Sequence, residues 1–147
     1  MSSPAERYAA ARRRQASSRS ELTRFADSYD FPLDDFQVRG CEALERGEGV
    51  LVAAPTGAGK TVIGEFAIHL ALAKGLKAFY TTPIKALSNQ KYAELAGRYG
   101  EETVGLLTGD VSVNGDAPLV VMTTEVLRNM LYADSRSLDA LGHVVLD

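Results

Sequence analysis

The sequence predicts an α/β fold in which helices cover both faces of a parallel sheet. Short apolar segments alternate with longer segments of helical periodicity from residue 50 to Asp147. The short segments are apolar at consecutive positions, which is typical of parallel strands buried between two layers of helices. Strands and helices that alternate at these lengths predict a parallel sheet with helices on both faces.

Apolar periodicity and the residues that interrupt it define the elements. Strands are predicted at residues 50–53, 78–81, 104–107, 119–122 and 144–147. Helices are predicted at residues 35–46, 59–74, 84–97 and 124–132. Gly75 is a suitable stop for the helix that precedes it. Residues 1–20 are expected to form a frayed helix or a tail, with helical spacing from Glu21 to about Ala26 before Phe31-Pro32 breaks it.

Composition excludes several classes of protein. The 147-residue chain has 46% apolar and 24% charged residues, as expected for one globular domain with a core. No apolar run approaches the roughly 20 residues that span a membrane, and none follows the N-terminal arginines as in a secretory signal. We therefore expect a cytoplasmic protein with no membrane partner. Cys41 is the single cysteine, which excludes an internal disulfide, and its thiol is predicted to be buried and inert.

Charge is distributed unevenly along the chain. The net charge is −3, but residues 1–24 carry +4 and the remainder carries −7. A mildly acidic domain has no general affinity for nucleic acid, so any nucleic-acid site must be local. The run Arg12–Arg14 is either such a contact or, as for most charge runs, a solvated helix face.

A phosphate-binding loop is predicted between the first strand and the helix at 59–74. The segment Ala54-Pro55-Thr56-Gly57-Ala58-Gly59-Lys60-Thr61 fits the P-loop pattern, with Ala54 in place of the first glycine. The glycines let successive backbone N–H groups surround an anion, and the helix that follows presents the positive end of its dipole. Lys60 is expected to contact the β- and γ-phosphates of a nucleotide, and the Thr61 hydroxyl to coordinate Mg²⁺.

The acid at the end of the last predicted strand is a second candidate for Mg²⁺ binding. Asp147 directly follows the apolar residues Val144, Val145 and Leu146. A carboxylate at the tip of a strand beside a phosphate loop binds Mg²⁺ through water. The alternative is an ordinary helix cap or strand-end charge. Lys60, Thr61 and Asp147 are therefore the expected catalytic residues.

Further strand ends are candidates for phosphate binding. Pro83 turns the chain after a strand, and the N-terminus of a helix follows beside Lys85. Thr124 is predicted to cap the next helix, which would begin at the same edge of the sheet. Ligands of open α/β sheets bind at the carboxyl ends of the strands. A solvated lysine and a plain helix cap are the alternatives.

Several ordered blocks resemble the Ski-like group of DExH-box RNA helicases in superfamily 2, and within it the actinobacterial HelY-type enzymes. The resemblance runs from about Phe31 to Asp147. The matching blocks are, in order, the adenine-reading segment 31–37, motif I at 53–61, motif Ia at 82–91, the motif Ib region at 108–110, the corner at 123–128 and the start of motif II at 145–147.

The resemblance implies roles for individual residues. Gln37 would read the adenine edge with both ends of its amide and so favour ATP over GTP, while Phe31 would stack on the base unless it is a core residue. The expected ATP-binding set is Phe31, Gln37, Ala54, Pro55, Thr56, Gly57, Ala58, Gly59, Lys60 and Thr61. The expected nucleic-acid contacts are Pro83, Lys85, Gly109, Thr124 and Arg128, although Arg128 is equally suited to a surface ion pair.

The resemblance also implies a fold and a function. Residues 31–147 would be the N-terminal part of the first RecA-like domain of a P-loop helicase, truncated at Asp147, and residues 1–30 an N-terminal extension. The intact protein would use ATP and Mg²⁺ to move 3′ to 5′ on single-stranded RNA, with a second RecA-like domain and an RNA-decay nuclease as partners. The chain alone, which lacks the glutamate of motif II, should not hydrolyse ATP. A DNA helicase of the same superfamily and an ATP-binding switch that does not translocate are the alternatives.

Overall fold

A computed structural model describes residues 3–55 and 59–147, with backbone alone at residue 11 and at 13–20. The described chain forms two compact units, residues 1–66 and 67–147, and the boundary falls within a helix.

Three helices form the first unit. They are α1 (Pro4–Ala26), α2 (Asp35–Glu45) and the first turns of α3 (Thr61–Ala73). Helix α1 extends through the segment where a frayed helix or a tail was expected. It starts with Pro4 and a capping box, in which the Ser3 hydroxyl accepts from the Glu6 N–H and the Glu6 carboxylate accepts from the Ser3 N–H.

The core of the first unit lies where α1, α2 and α3 meet. Phe25 is 2% exposed and contacts Phe66 edge-to-face, with the ring centroids 5.1 Å apart. Cys41 is fully buried, and desolvation raises the pKa of its thiol to about 12. The prediction of a buried thiol is therefore confirmed, and a thiol with so high a pKa is unreactive at neutral pH.

The prediction of a strand at residues 50–53 is wrong. Residues 48–55 have no regular secondary structure, and Leu51 is 96% exposed. No strand among the described residues pairs with this segment. An apolar run shows that a segment favours burial, but a strand forms only when a neighbouring strand accepts its backbone hydrogen bonds.

The second unit contains a five-stranded sheet. Its strands are β1 (Lys77–Thr82), β2 (Val104–Leu107), β3 (Ser112–Val113), β4 (Leu119–Thr123) and β5 (Leu141–Leu146). The order across the sheet is β3-β2-β4-β1-β5. All neighbouring strands are parallel except β3, which pairs antiparallel with β2. The sheet is thus mostly parallel, as predicted, but β3 was not predicted and β5 begins three residues earlier than expected, at Leu141 rather than at Val144.

Helices cover both faces of this sheet, which confirms the predicted layers. Alternate residues of β1 and β4 point to opposite faces. On one face, Ile68 of α3 and Leu95 of α4 (Lys85–Tyr99) pack against Tyr80 and its neighbours. On the other face, Leu127 of α5 (Thr124–Tyr132) packs against Phe79. A short 3₁₀ helix, Arg136–Leu138, leads into β5.

The remaining predicted elements agree with the structure. Strand β2 and helix α5 have the predicted bounds, and α2, α3, α4, β1 and β4 differ from theirs by one or two residues at either end. Within residues 3–55 and 59–147, none of the helices combines the length and the apolar character needed to cross a bilayer.

Candidate functional site

The described part of the phosphate loop leads directly into α3. Gly59 has a φ of +82°, a conformation that favours glycine, as expected for a loop that turns its N–H groups inward. Lys60 and Thr61 are exposed at the start of the helix, Ala54 is half-buried and Pro55 is exposed. Thr56, Gly57 and Ala58 lie outside the described residues. The exposed ammonium and hydroxyl groups are thus available to a ligand at the N-terminal end of α3.

Gln37 is tied to this loop. Its side chain is 3% exposed, and its Nε2 donates to the Gly59 carbonyl at 3.0 Å. Its Oε1 accepts from the Asp34 N–H at 2.8 Å, which completes a capping box at the start of α2. An amide has two N–H hydrogens and two oxygen lone pairs, so each end of Gln37 keeps capacity for a further hydrogen bond. That remaining donor and acceptor match what the edge of an adenine requires.

Phe31 lies at the outer end of a row of aromatic rings. It is 53% exposed, and its ring centroid is 5.3 Å from that of Tyr29. Tyr29 contacts Phe25 edge-to-face at 5.2 Å, and Phe25 in turn contacts Phe66. A large aromatic side chain that is half exposed but supported from behind can stack on a planar ligand.

The predicted Mg²⁺ ligands are both oxygen donors, as this ion prefers. The Thr61 hydroxyl belongs to the first residue of α3. In the second unit, the Asp147 carboxylate accepts a hydrogen bond from the hydroxyl of Tyr80, a residue that is 1% exposed. This bond uses one lone pair of the carboxylate, which leaves oxygen lone pairs for a hydrated cation. Thr61 and Asp147 therefore each offer an oxygen donor of the kind that Mg²⁺ prefers.

The predicted nucleic-acid contacts in the second unit lie at one edge of the sheet. The strands β1, β2, β4 and β5 are parallel, and Thr82 is level with Thr123 in the register of β1 and β4. The chain segments that leave these strands therefore emerge on the same side. A cleft of about 360 Å³ lies here, with Pro83 and Asp147 among its lining residues.

Lys85, the candidate phosphate ligand in motif Ia, is paired with an acid. Its ammonium donates to the Asp110 carboxylate, whose other oxygen accepts from the Thr108 hydroxyl at 3.1 Å. The hydrogen bonds from Lys85 and then from Thr108 lower the pKa of the Asp110 carboxyl. Both side chains of the pair are exposed, at 48% and 67%. The structure thus brings motifs Ia and Ib together through an ion pair at the surface. Gly109 lies in the chain between Thr108 and Asp110, which are joined by the second of these hydrogen bonds.

The predicted cap of α5 is displaced by one residue. Thr123 is the N-cap, and its hydroxyl accepts from the Val126 N–H at 3.4 Å. Thr124 is the first helical residue, and its hydroxyl donates to the Thr82 carbonyl at 3.2 Å. The cap is Thr123 because that residue is the last of β4 and keeps the extended backbone that an N-cap requires.

Arg128 forms the surface ion pair that was the alternative to nucleic-acid contact. It lies 3.9 Å from Glu125, one turn away on α5, and both side chains are exposed. Such pairs are weak and exchange readily, so the contact leaves the guanidinium available to a stronger anion.

Three residues at these sites have contacts for which the sequence predicted no role. Glu65 accepts from Tyr29, Tyr80 donates to Asp147, and Asp110 pairs with Lys85. Glu65 carries a signal that sequence alone contains, because it is the one acidic residue in the apolar helix α3. The structure places it at 8% exposure, which is rare for an acid. The other two pairs join residues that are 67 and 25 positions apart, and no local pattern indicates them.

Comparison with known proteins gives consistent matches. The family model of the DEAD/DEAH box helicases matches residues 34–147. The "Probable helicase HelY" of Mycobacterium leprae is 72% identical over 128 residues, which make up 87% of this chain and 14% of that protein. The "ATP-dependent RNA helicase mtr4" of Schizosaccharomyces pombe is 50% identical over 122 residues, 83% of this chain and 11% of that protein.

A solved structure supports the fold. The crystal structure of a hypothetical ATP-dependent RNA helicase from Sulfolobus tokodaii matches with a TM-score of 0.61 at 23% identity, and the match covers 87% of this chain and 40% of that one. The predicted RecA-like α/β class is therefore confirmed. The chain spans only 14% and 11% of the two curated relatives. Because the family model covers most of the sequence, the resemblance stated from the motifs is confirmed, and the chain belongs to the DEAD/DEAH box helicase family.

Proposed function

We propose that the protein is an ATP-dependent RNA helicase that moves 3′ to 5′ along single-stranded RNA. Residues 31–147 contribute the N-terminal part of its first RecA-like domain, and residues 1–30 extend that domain. ATP binds between this domain and a second one, and closure of the two domains changes the grip on the RNA phosphates. Relatives named as helicases, one of them as an RNA helicase, support the proposal.

The observation that carries the proposal is the hydrogen bond between Gln37 and Gly59. It holds the candidate adenine reader against the loop that leads to Lys60 and Thr61. In this arrangement Gln37 and Phe31 take the base, and the loop N–H groups with Lys60 take the phosphates. Mg²⁺ held by Thr61 and, through water, by Asp147 would neutralise charge on the phosphate oxygens when it is bound.

Single-stranded RNA is proposed to bind along the edge that carries Pro83, Lys85, Gly109, Thr124 and Arg128. These residues belong to the segments that leave β1, β2 and β4 on the same side of the sheet. Contacts to phosphates there would give little sequence preference and a strong dependence on salt.

The proposal is tested by the ATPase activity of the intact protein with single-stranded RNA, with single-stranded DNA and without nucleic acid. We expect stimulation by RNA well above that by DNA, and unwinding only of duplexes with a 3′ single-stranded overhang. Equal stimulation by DNA would favour the DNA helicase instead. ATP binding without stimulation by either nucleic acid would favour a switch that does not translocate.

Replacing Gln37 with alanine should weaken ATP binding and the preference for ATP over GTP. The variant loses both the contact to the base and the bond to Gly59, which we expect to raise the KM for ATP roughly tenfold, since each lost hydrogen bond costs about 0.5–1.5 kcal/mol. Steady-state ATPase and GTPase assays of the intact protein measure this. Equal use of ATP and GTP by the unmodified protein would contradict the assignment of Gln37.

Replacing Asp110 with asparagine should tighten RNA binding. The carboxylate that now occupies Lys85 competes with an RNA phosphate for the same ammonium. A surface pair contributes at most about 1 kcal/mol, so we expect a twofold to fivefold lower Kd. Fluorescence anisotropy with labelled single-stranded RNA at two salt concentrations measures it.

Asp116→Asn is the matched control for this variant. Asp116 is exposed and precedes β4, so the same charge is removed at the opposite edge of the sheet. A gain in affinity that is equal in both variants would mean that net charge, and not the release of Lys85, is responsible.

A further inference from the structure

A buried acid on α3 holds the segment that carries Phe31. Glu65 is 8% exposed and accepts a hydrogen bond from the Tyr29 hydroxyl. Burying a carboxylate among apolar residues is unfavourable unless it is hydrogen-bonded, so this position needs a reason beyond packing. Valine, isoleucine or leucine would fill this buried position at a lower cost in free energy.

Tyr29, which donates to Glu65, supports the exposed ring of Phe31. Tyr29 lies in the turn between α1 and α2, in ring contact with Phe25 on one side and Phe31 on the other. Phe25 is fixed in the core at 2% exposure, whereas Phe31 is 53% exposed. With its hydroxyl bound and its ring packed, Tyr29 has little rotational freedom, and Phe31 rests on a fixed neighbour.

The same acid lies on the helix that follows the phosphate loop. Glu65 is four residues after Thr61 on α3, and residues four apart lie on the same face of a helix. A rigid helix turn therefore separates the candidate Mg²⁺ ligand from the group that anchors Tyr29. Gln37 provides the other connection through the Gly59 carbonyl, which also accepts the N–H of Val62 in the first turn of α3.

We propose that Tyr29 and Glu65 are positioning residues for nucleotide recognition, because their hydrogen bond fixes the ring against which Phe31 packs and so holds Phe31 in place to stack on an adenine. This inference rests on the proposed ATP binding. The two residues act through Phe31 and do not touch the nucleotide. Their loss removes affinity for the base and leaves affinity for the phosphates unchanged.

The test compares two ligands on the intact protein in the presence of Mg²⁺. A nonhydrolysable ATP analogue carries base and phosphates, and inorganic tripolyphosphate carries phosphates alone. Tyr29→Phe removes only the hydroxyl. We expect it to raise the Kd of the analogue about threefold to tenfold, because one hydrogen bond that positions Phe31 is lost. The Kd of tripolyphosphate should stay the same, because this ligand has no base. Glu65→Gln keeps an acceptor and should retain most of the affinity.

Two controls separate positioning from stability. Tyr8→Phe makes the same change at a tyrosine that is 68% exposed on α1, and it should alter neither Kd. In a Phe31→Leu background, Tyr29→Phe should have no further effect on binding, since the ring through which it acts is gone. Melting temperatures show whether each variant is folded. Glu65→Leu removes the hydrogen bond between Tyr29 and Glu65 from its other side.

Three outcomes would overturn the inference. The first is an unchanged Kd of the analogue in both Tyr29→Phe and Glu65→Leu. The second is an equal loss of affinity for both ligands, which is what a general loosening of the unit produces. The third is an additive effect on top of Phe31→Leu. Failure of the proposed ATP binding, on which the inference rests, looks different, because the unmodified protein would then bind neither ligand.

Discussion

Replacing Lys60 with alanine should abolish ATP hydrolysis by the intact protein and leave the fold unchanged. Lys60 is exposed at the start of α3, so its removal creates no cavity. In the proposed site its ammonium bonds to the β- and γ-phosphates. Hydrogen bonds to charged groups contribute about 1.5–3 kcal/mol each, so the loss of two lowers ATP affinity or turnover by roughly 10²- to 10⁴-fold.

Lys74→Ala is the matched control for the first prediction. Lys74 is exposed just beyond the other end of α3, and the same charge is therefore removed far from the loop. Isothermal titration with the ATP analogue and a coupled ATPase assay measure the two effects. If Lys60→Ala retained the affinity and turnover of Lys74→Ala, the phosphate-loop assignment would be wrong.

Replacing Gly105 with alanine should strongly destabilise the second unit. A Cβ on Gly105 would lie 2.1 Å from the carbonyl oxygen of Asn114, which is backbone and cannot rotate away. Asn114 follows β3 with a φ of +46° and brings the chain back across β2. Overpacking costs about 1–3 kcal/mol, and we expect the upper end of that range here. For a unit of this size, the melting temperature would fall by roughly 10–20 °C.

Gly97→Ala shows what the same change does where there is room. Gly97 lies in α4, and a Cβ there would meet no atom within 4 Å. Alanine in a helix is more stable than glycine by about 0.5–1 kcal/mol, so this variant should melt slightly higher than the unmodified chain. Thermal unfolding followed by circular dichroism compares the two. Similar melting temperatures would mean that the turn after β3 can move aside.

Buried strands were the elements that periodicity predicted best. β1 and β4 are apolar at consecutive positions because both of their faces are covered, and this pattern is visible in the sequence. β3 has no such signal, since Ser112 and Val113 are both exposed. The segment at 50–53 has the signal without the strand, because composition indicates a preference for burial but not the neighbour that pairs with it.

The start of helix α1 is marked in the sequence by a capping box. Ser3 and Glu6 have the spacing of a capping box, and Pro4 follows the cap. These residues define a helix start as clearly as any in the chain. The weak apolar character of residues 1–20 indicated a frayed helix or a tail instead, since helical periodicity is recognised mainly from large apolar side chains.

At the candidate site, residue types were predictable and their partners were not. The phosphate-loop pattern is local, so Lys60 and Thr61 stand out from eight consecutive residues. Gln37 was singled out by resemblance, yet its bond to Gly59 spans 22 residues and depends on how α2 and the loop fold back. Contacts of this kind follow from tertiary structure, which no window of sequence contains. The roles of these residues in binding remain predictions.

The strand order of the sheet has a consequence for synthesis on the ribosome. β1 lies between β4 and β5, and both of these neighbours come later in the chain. Ala78 pairs with Leu119, so the apolar β1 emerges from the exit tunnel about forty residues before its first partner. At roughly 5–20 residues per second, the nascent chain waits seconds with this strand unpaired. The β2–β3 hairpin closes locally without delay, and completion of the sheet is limited by the arrival of β4 and β5.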